Sequence, residues 1–314
     1  MSTIGSPPLV SVILGTYNGE VYLREQLDSL FAQTYPQLEI IAIDDGSVDN
    51  TVPILQQYAA RHSNMKVVIN ETNLGFIRNF EKGTRLSTGG LISFCDQDDY
   101  WYPEKVEKMV ASIGLHPMVF CDSALCDQDL RPLGKKISDL VHQQSFYDCR
   151  QLCVFSRMYG HAILITRDLF NKAAPFITEM PHDGWLAYHA TLHGGVKFLP
   201  EVLVNYRQHT GNVFGAVGGK RKKNTAEERI QRKRRELERV RIRMAAFYAA
   251  CPGTLVPQKK LLHDLVESYR DFSLPNDMRR VILFFANYKW LLTVKKYPVW
   301  RKYLFCLKMF VKIK

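Results

Sequence analysis

The chain has 314 residues, 46% of them hydrophobic and 23% charged, which fits one large globular domain, alone or with an extension, and excludes a disordered or fibrous protein. Its net charge of +11 is uneven: residues 220–243 hold a local +8 and residues 279–314 a local +10, so the rest of the chain is acidic by 7 and the protein is not uniformly basic. Seven scattered cysteines without a CxxC pair exclude a disulfide framework or a zinc site and fit reduced thiols in the cytosol; with no basic-then-apolar leader and no run of 18 apolar residues, neither a signal peptide nor a membrane span is expected.

Residues 9–14 form a short apolar, β-branched run, the pattern of a buried strand, and it ends in the turn-rich Gly15-Thr16-Tyr17-Asn18-Gly19. Helical spacing follows over 20–33. A second strand, Leu38–Ile43, stops at Asp44-Asp45-Gly46-Ser47, and Asp49 or Asn50 is placed to cap a helix over 51–62. Lys66–Ile69 reads as a third strand, 75–86 as a third helix and Leu91–Cys95 as a fourth strand. Strand–helix alternation at roughly 25–30 residues per unit predicts an α/β fold, with a mostly parallel sheet flanked by helices. Ligands of such sheets bind at the carboxyl ends of the strands. Here those ends are Thr16-Tyr17-Asn18, Asp44-Asp45 and Asp96-Gln97-Asp98-Asp99.

The last of these ends has three carboxylates in four residues. Clustered carboxylates repel one another unless a cation fills the cluster, and hard oxygen ligands suit Mg²⁺ or Mn²⁺. An acidic turn capping the helix over 103–114 is the alternative. Beyond it, Met118–Asp122 is expected as a strand and 124–133 as a hairpin or loop. Residues 135–158 lack a clear period and read as a mobile acceptor-side segment. Tyr159–Thr166 is expected as a strand, followed by a helix opened by Asp168, a helix over 184–193 and two short strands, Val196–Leu199 and Val202–Arg207. The Gly-rich 211–219 sets a boundary between a domain at 1–219 and a basic helical extension at 220–314, with helices over 225–250 and 257–272 and an aromatic, basic tail interrupted at Pro298.

Val10-Ser11-Val12-Ile13 with Thr16-Tyr17-Asn18, Ile43-Asp44-Asp45-Gly46-Ser47, Asn73-Leu74-Gly75 and Asp96-Gln97-Asp98-Asp99 occur in order and at suitable spacing. This set resembles the family 2 glycosyltransferases of the GT-A fold, over about residues 9–212. Within that family the Asp96–Trp101 form, with the later His182-Asp183-Gly184-Trp185, resembles bacterial rhamnosyltransferases of surface polysaccharide synthesis. The processive QxxRW motif is missing, and Tyr206-Arg207-Gln208-His209 stands instead.

The resemblance implies an inverting transfer from a nucleoside diphosphate sugar to a hydroxyl of a glycan or lipid-linked acceptor. Asp98 is then the direct ligand of a Mn²⁺ or Mg²⁺ ion. Asp96 reaches sugar or ribose hydroxyls, or the metal through water, and Gln97 lies in the same donor-side set. His209 is a further ligand or phosphate contact, or a surface loop histidine. Asp45 accepts a hydrogen bond from pyrimidine N3–H. Asp44 shares that role or is a strand-end residue that caps the following helix. Tyr17, between Thr16 and Asn18, stacks beside the base or stands at the rim, and Arg78 approaches the nucleotide or is a solvated charge. Asp183 is the general base, or a helix cap. His182 and Trp185 fall on the acceptor side, with core packing as the ordinary alternative for both.

The donor favoured by the resemblance is dTDP-rhamnose, with a UDP-hexose or UDP-hexosamine as runner-up. The basic segment 220–243 has glutamates at helical salt-bridge spacing and no nucleic-acid motif, so it reads as a solvated helix and no nucleic-acid partner is expected. In 279–314, aromatic residues alternate with ten cations and no acid, a pattern suited to an anionic bilayer surface or, alternatively, to a second subunit. The expected enzyme is therefore cytoplasmic and peripheral on the inner membrane face. A glycosidase would not need the strand-end set, and a basic membrane- or nucleic-acid-binding protein with a degenerate α/β domain is the alternative of another class.

Overall fold

The computed structural model describes residues 6–209 and 225–310. The N-terminal half alternates as the sequence requires. Strand β1 (Val10–Thr16) leads to α1 (Leu23–Phe31), β2 (Leu38–Asp44) to α2 (Thr51–Ala59), β3 (Met65–Ile69) to α3 (Phe76–Leu86), and then comes β4 (Leu91–Asp96). β3, β2, β1 and β4 lie side by side and parallel. Their apolar runs are continuous because both faces are covered: Val10, Val12 and Leu14 point into one core layer and Ile13 into the other.

After β4 the sheet changes character. β5 (Tyr100–Trp101), α4 (Lys105–Ile113), β6 (Met118–Cys126), β7 (Pro132–Lys136), the single-turn α5 (Ile137–Leu140), β8 (Ile163–Thr166), α6 (Arg167–Ala173), α7 (His182–Leu192) and β9 (Val196–Arg207) follow. Among the described residues the sheet has nine strands, in the order β3-β2-β1-β4-β8-β6-β9-β5, with β7 on β6. β8 is antiparallel to both neighbours, whereas β9 is parallel to β6. Parallel pairing therefore dominates the first half and the sheet as a whole is mixed.

Several elements differ from expectation. The strand expected over 159–166 begins only at Ile163, because Gly160–Ala162 form a 3₁₀ turn. α6 is capped by Thr166, whose hydroxyl accepts from Leu169 N, and not by Asp168. The two short strands around Pro200 are one, β9, which absorbs the break as register shifts opposite Cys121–Ser123. Residues 135–158, expected as a mobile segment, are anchored: Phe146, Cys149, Leu152, Cys153, Val154 and Met158 are buried in the main core.

The C-terminal helices are α8 (Ala226–Ala250), α9 (Val256–Ser268), α10 (Leu274–Leu291) and α11 (Val299–Lys308). α8 opens with a Thr225–Glu228 capping box, and its first turns are solvated. Further along, Val240, Met244 and Phe247 join the core layer that holds α6 and α7. Tyr188 of α7 stacks on Phe247 at 4.0 Å, and its hydroxyl donates to Phe247 O at 2.7 Å. The extension thus shares one hydrophobic core with the domain before it. No described helix is long and apolar enough to cross a membrane. The boundary expected at 211–219 lies outside the described residues.

Candidate active site

A cleft of about 970 Å³ opens at the carboxyl ends of β1, β2 and β4. Thr16, Tyr17, Asp45, Asp96, Gln97, Asp98, His182 and Asp183 all line it. Asn18, Asp44, Arg78, Trp185 and His209 do not.

Asp44 is fully buried and organises the turn after β2. Its Oδ2 accepts from Gly46 N and Ser47 N at 3.1 and 2.8 Å, and its Oδ1 from Thr16 Oγ1 at 2.9 Å. Gly46 sits at φ +84°, a conformation that favours glycine. Asp44 therefore holds two strand ends together and leaves the cleft to Asp45. The Asp45 carboxylate takes donors from Leu74 N, Gly75 N and Asn70 Nδ2 at 2.7–2.9 Å, drawing loop 70–75 to the cleft edge. Tyr17 stands at the rim, 49% exposed. Gln97 clamps it at two points, its Oε1 accepting from Tyr17 N at 2.8 Å and its Nε2 donating to Tyr17 O at 3.1 Å. Asn18 ties the β1 loop to the β2 loop, donating from its N to Ser47 Oγ and accepting Val48 N on Oδ1. Arg78 is exposed and pairs with Glu81 at 2.7 Å, the solvated-charge alternative.

The acidic turn is strapped between β4 and β5. Asp98 Oδ2 lies 2.9 Å from His209 Nε2, so the two residues expected to share a ligand role are adjacent. Asp99, for which the sequence suggested no task beyond a possible cap, is fully buried and caps nothing. Its Oδ1 accepts from Arg207 N at 3.1 Å, while its Oδ2 has no hydrogen bond. His161 Nδ1 lies 3.2 Å from that Oδ2 and 3.8 Å from Asp96, and Ser123 holds the other ring nitrogen at 3.0 Å. Burial, reinforced by Asp98 and Asp96, pushes the Asp99 carboxyl well above its ordinary range.

Asp96, Asp99 and His161 present ligand atoms within 4.8 Å of one another. With Asp98 and His209 beside them, the donor set is hard, acid-rich and contains an orphaned buried oxygen, and it fits a divalent cation. Two buried cations brace the turn from below. Lys105 donates to His161 O at 2.8 Å over the Trp101 ring, and burial pulls its pKa down to about 7. Arg207, the last residue of β9, donates from Nε to Asp98 O at 2.7 Å and also to Gln128 O and to Glu25.

Asp183 faces the cleft from the first turn of α7. Its Oδ1 accepts from Gly184 N at 2.5 Å, and burial pushes its pKa up to about 7, with the Asp96 charge adding to the rise. A carboxylate poised there suits general-base work at neutral pH. His182 borders the cleft from inside a phenylalanine layer, 4.6 Å from Phe80 and 4.8 Å from Phe94. Neither ring nitrogen has a partner, and burial lowers its pKa to about 3, so it is neutral. Trp185 faces away from the cleft. It is buried against Phe247, and its Nε1 donates to Ala173 O at 2.7 Å.

An α/β sheet whose parallel strands end in acid-bearing loops around one cleft, with flanking helices, has the plan of the GT-A nucleotide-sugar transferases. Residues 11–173 match the family model described as glycosyl transferase family 2, and the chain belongs to that family. It is 28% identical over 236 residues to an uncharacterised glycosyltransferase of Haemophilus influenzae, covering 70% of this chain and 72% of that one. It is 31% identical over 209 residues to an uncharacterised glycosyltransferase of Rickettsia typhi, covering 64% of each. Among solved structures, S. aureus TarS 1–349 in complex with UDP-GlcNAc superposes with a TM-score of 0.57 at 17% identity, over 96% of this chain and 90% of that one. The mannosyltransferase PcManGT from Pyrobaculum calidifontis, in complex with GDP-Man and Mn²⁺, gives 0.56 at 18% identity, over 96% and 85%. At these identities the likeness is one of fold.

Proposed function

We propose that this protein transfers a sugar from a nucleoside diphosphate sugar to a hydroxyl of a glycan or lipid-linked acceptor, with inversion. The observation that carries this reading is that a single cleft gathers the Asp45 strand end, the Asp96–Asp99 turn and the partly buried Asp183. Asp45 and Tyr17 flank the place for the base, and Asp96 faces the sugar. Asp98, with His209 or the Asp96–Asp99–His161 group, would hold Mn²⁺ or Mg²⁺, and the ion would supply positive charge against that growing on the leaving diphosphate. Asp183 takes the proton of the acceptor hydroxyl as its oxygen attacks the anomeric carbon.

On motif resemblance the favoured donor is dTDP-rhamnose, the substrate of a surface-polysaccharide rhamnosyltransferase. A UDP-hexosamine is the second reading, favoured by the structural likeness to TarS bound to UDP-GlcNAc. Thermal shifts with dTDP, UDP and GDP, each with and without Mn²⁺, test the assignment. Stabilisation by a pyrimidine diphosphate only when Mn²⁺ is present is expected, and no shift with any of the three removes the transferase reading. Turnover of dTDP-rhamnose against UDP-GlcNAc then separates the two donors.

The tail belongs to the same proposal as a contact with an anionic membrane surface. Trp300, Tyr303, Leu304, Leu307 and Phe310 are exposed beside Arg301 and Lys308. Because the C-terminal helices share the main core, point changes are the suitable test. Trp300→Ser with Leu304→Ser is expected to abolish co-sedimentation with phosphatidylglycerol vesicles. Unchanged sedimentation, or self-association of the native chain without vesicles, favours an oligomer contact instead.

A further inference from the structure

The cleft does not end at Asp183. Gly184 packs so closely on the neighbouring segment that a Cβ there would lie 3.1 Å from Ser156 Cβ and Oγ, so residues 152–157 continue the wall beyond the general base. From this segment the lining passes to the C-terminal helices. Phe155 meets Phe305 of α11 edge-on at 5.5 Å, and Lys295 Nζ stands 4.3 Å from the centre of the Phe155 ring. Arg243 of α8 reaches the same end of the cleft beside Cys153.

The two ends are opposite in charge. Among the described residues the carboxylates that line the cleft (Asp45, Asp96, Asp98, Asp183) lie on the strand-end side or at the junction, whereas Arg243 and Lys295 line the far end. Arg243 Nε is buried and has no hydrogen-bond partner, and burial holds the guanidinium below its ordinary range. Leaving a buried guanidinium nitrogen unsatisfied costs stability, and a phosphate oxygen is its best-matched acceptor. The extension thus supplies cations where an acceptor must lie if its hydroxyl is to reach Asp183.

We propose that this far end is an acceptor subsite for a phosphate or diphosphate group, held by Arg243 and Lys295, with Phe305 and Tyr297 flanking whatever adjoins that group. The assignment rests on the transferase reading above. The phosphate has two possible sources, a lipid carrier or a water-soluble sugar phosphate. Calorimetric titration of the full chain in EDTA, which keeps metal-bridged binding out of the donor site, uses geranyl diphosphate for the first and galactose 1-phosphate for the second. At least one probe is expected to bind. The Arg243→Gln/Lys295→Gln variant should weaken it tenfold or more, and Asp98→Ala should leave it unchanged.

Binding of geranyl diphosphate alone assigns a lipid source, and binding of galactose 1-phosphate alone a soluble one; equal binding assigns the phosphate itself. Lys295→Gln alone is expected to cost about threefold, and it keeps the test decisive should the double variant lose its circular dichroism signal. No binding of either probe, or affinity unchanged in a folded variant, overturns the subsite. So does an equal loss of UDP–Mn²⁺ affinity, which would move the cations to the donor side. Failure of every nucleotide to bind with Mn²⁺ would instead defeat the transferase reading, an outcome separable from the phosphate titration.

Discussion

The two sides of the cleft are built on different plans. On the strand-end side, three parallel strands deliver their last residues to one edge, and each strand end brings its polar group within a few residues of a predictable place. On the opposite side, the wall is a 3₁₀ turn, the irregular stretch 152–158, the first turn of a helix buried nearly all round, and isolated residues from α8, α11 and the α10–α11 link. A repeating plan ties function to sequence position, whereas a wall assembled from distant pieces ties it to packing. The two plans should therefore answer differently to substitution.

The largest effect is expected at the junction. Asp183→Asn should lower turnover by about 10²–10⁴-fold with nucleotide affinity unchanged, read by paired kinetics and calorimetry. Normal turnover would remove Asp183 from the base role. With its carboxyl raised to about 7, wild-type turnover should climb with pH and level off above about 7, because only the ionised form accepts a proton. The stability sign is opposite. A folded-state pKa above the ordinary 3.8 means that this group favours folding below that value, and the benefit is lost as pH rises through about 7. Denaturant midpoints of native and Asp183→Asn protein, compared between pH 4 and pH 8, read that loss.

Next comes the donor side. Asp98→Ala should cost about 10²–10³-fold in turnover and abolish the Mn²⁺ dependence of nucleotide binding, since a group aimed at developing charge is removed. Retention of that dependence would shift the ligand role to Asp96, Asp99 and His161. On the acceptor side Trp185→Ala should act through folding, at about 3–5 kcal/mol for a large buried aromatic. Its measurement is a urea midpoint, and a selective loss of acceptor affinity in a stable variant would return Trp185 to the site. The smallest effect belongs to Arg78→Ala, within about 0.5 kcal/mol in stability and with no change in nucleotide affinity.

The same contrast explains what could be read before the fold was known. Asp45, Asp96 and Asp98 were legible because an apolar run with an abrupt polar end marks a strand terminus, and parallel strands share their termini. Which of two neighbouring acids faces the cleft was not legible. Asp44 and Asp45 differ only in the direction of the side chain, and Thr16, Gly46 and Ser47 settle it. Asp99 in the acidic turn and His161 in the 3₁₀ turn stand 62 residues apart in the chain, so no local pattern announces the pair. Arg243 and Lys295 each read as one cation among many, and only the tertiary path through Cys153 and Phe155 brings them to the cleft. Trp185 carried no facial signal because α7 is buried on nearly every side.

Arg207 also fixes a sequence of events in time. The acidic turn is shaped on one side by β4 and on the other by β5, which among the described residues pairs with Val204 and Asn205 of β9. Arg207 completes that closure by holding the Asp98 carbonyl and the Asp99 carboxylate. Contacts spanning about a hundred residues form late, after local strand–helix units have condensed. A nascent chain that has emerged only as far as α7 can already hold its parallel strands, yet its acidic turn lacks the last strand that sets it. The shape of the acidic turn should therefore be one of the last features this protein acquires during synthesis.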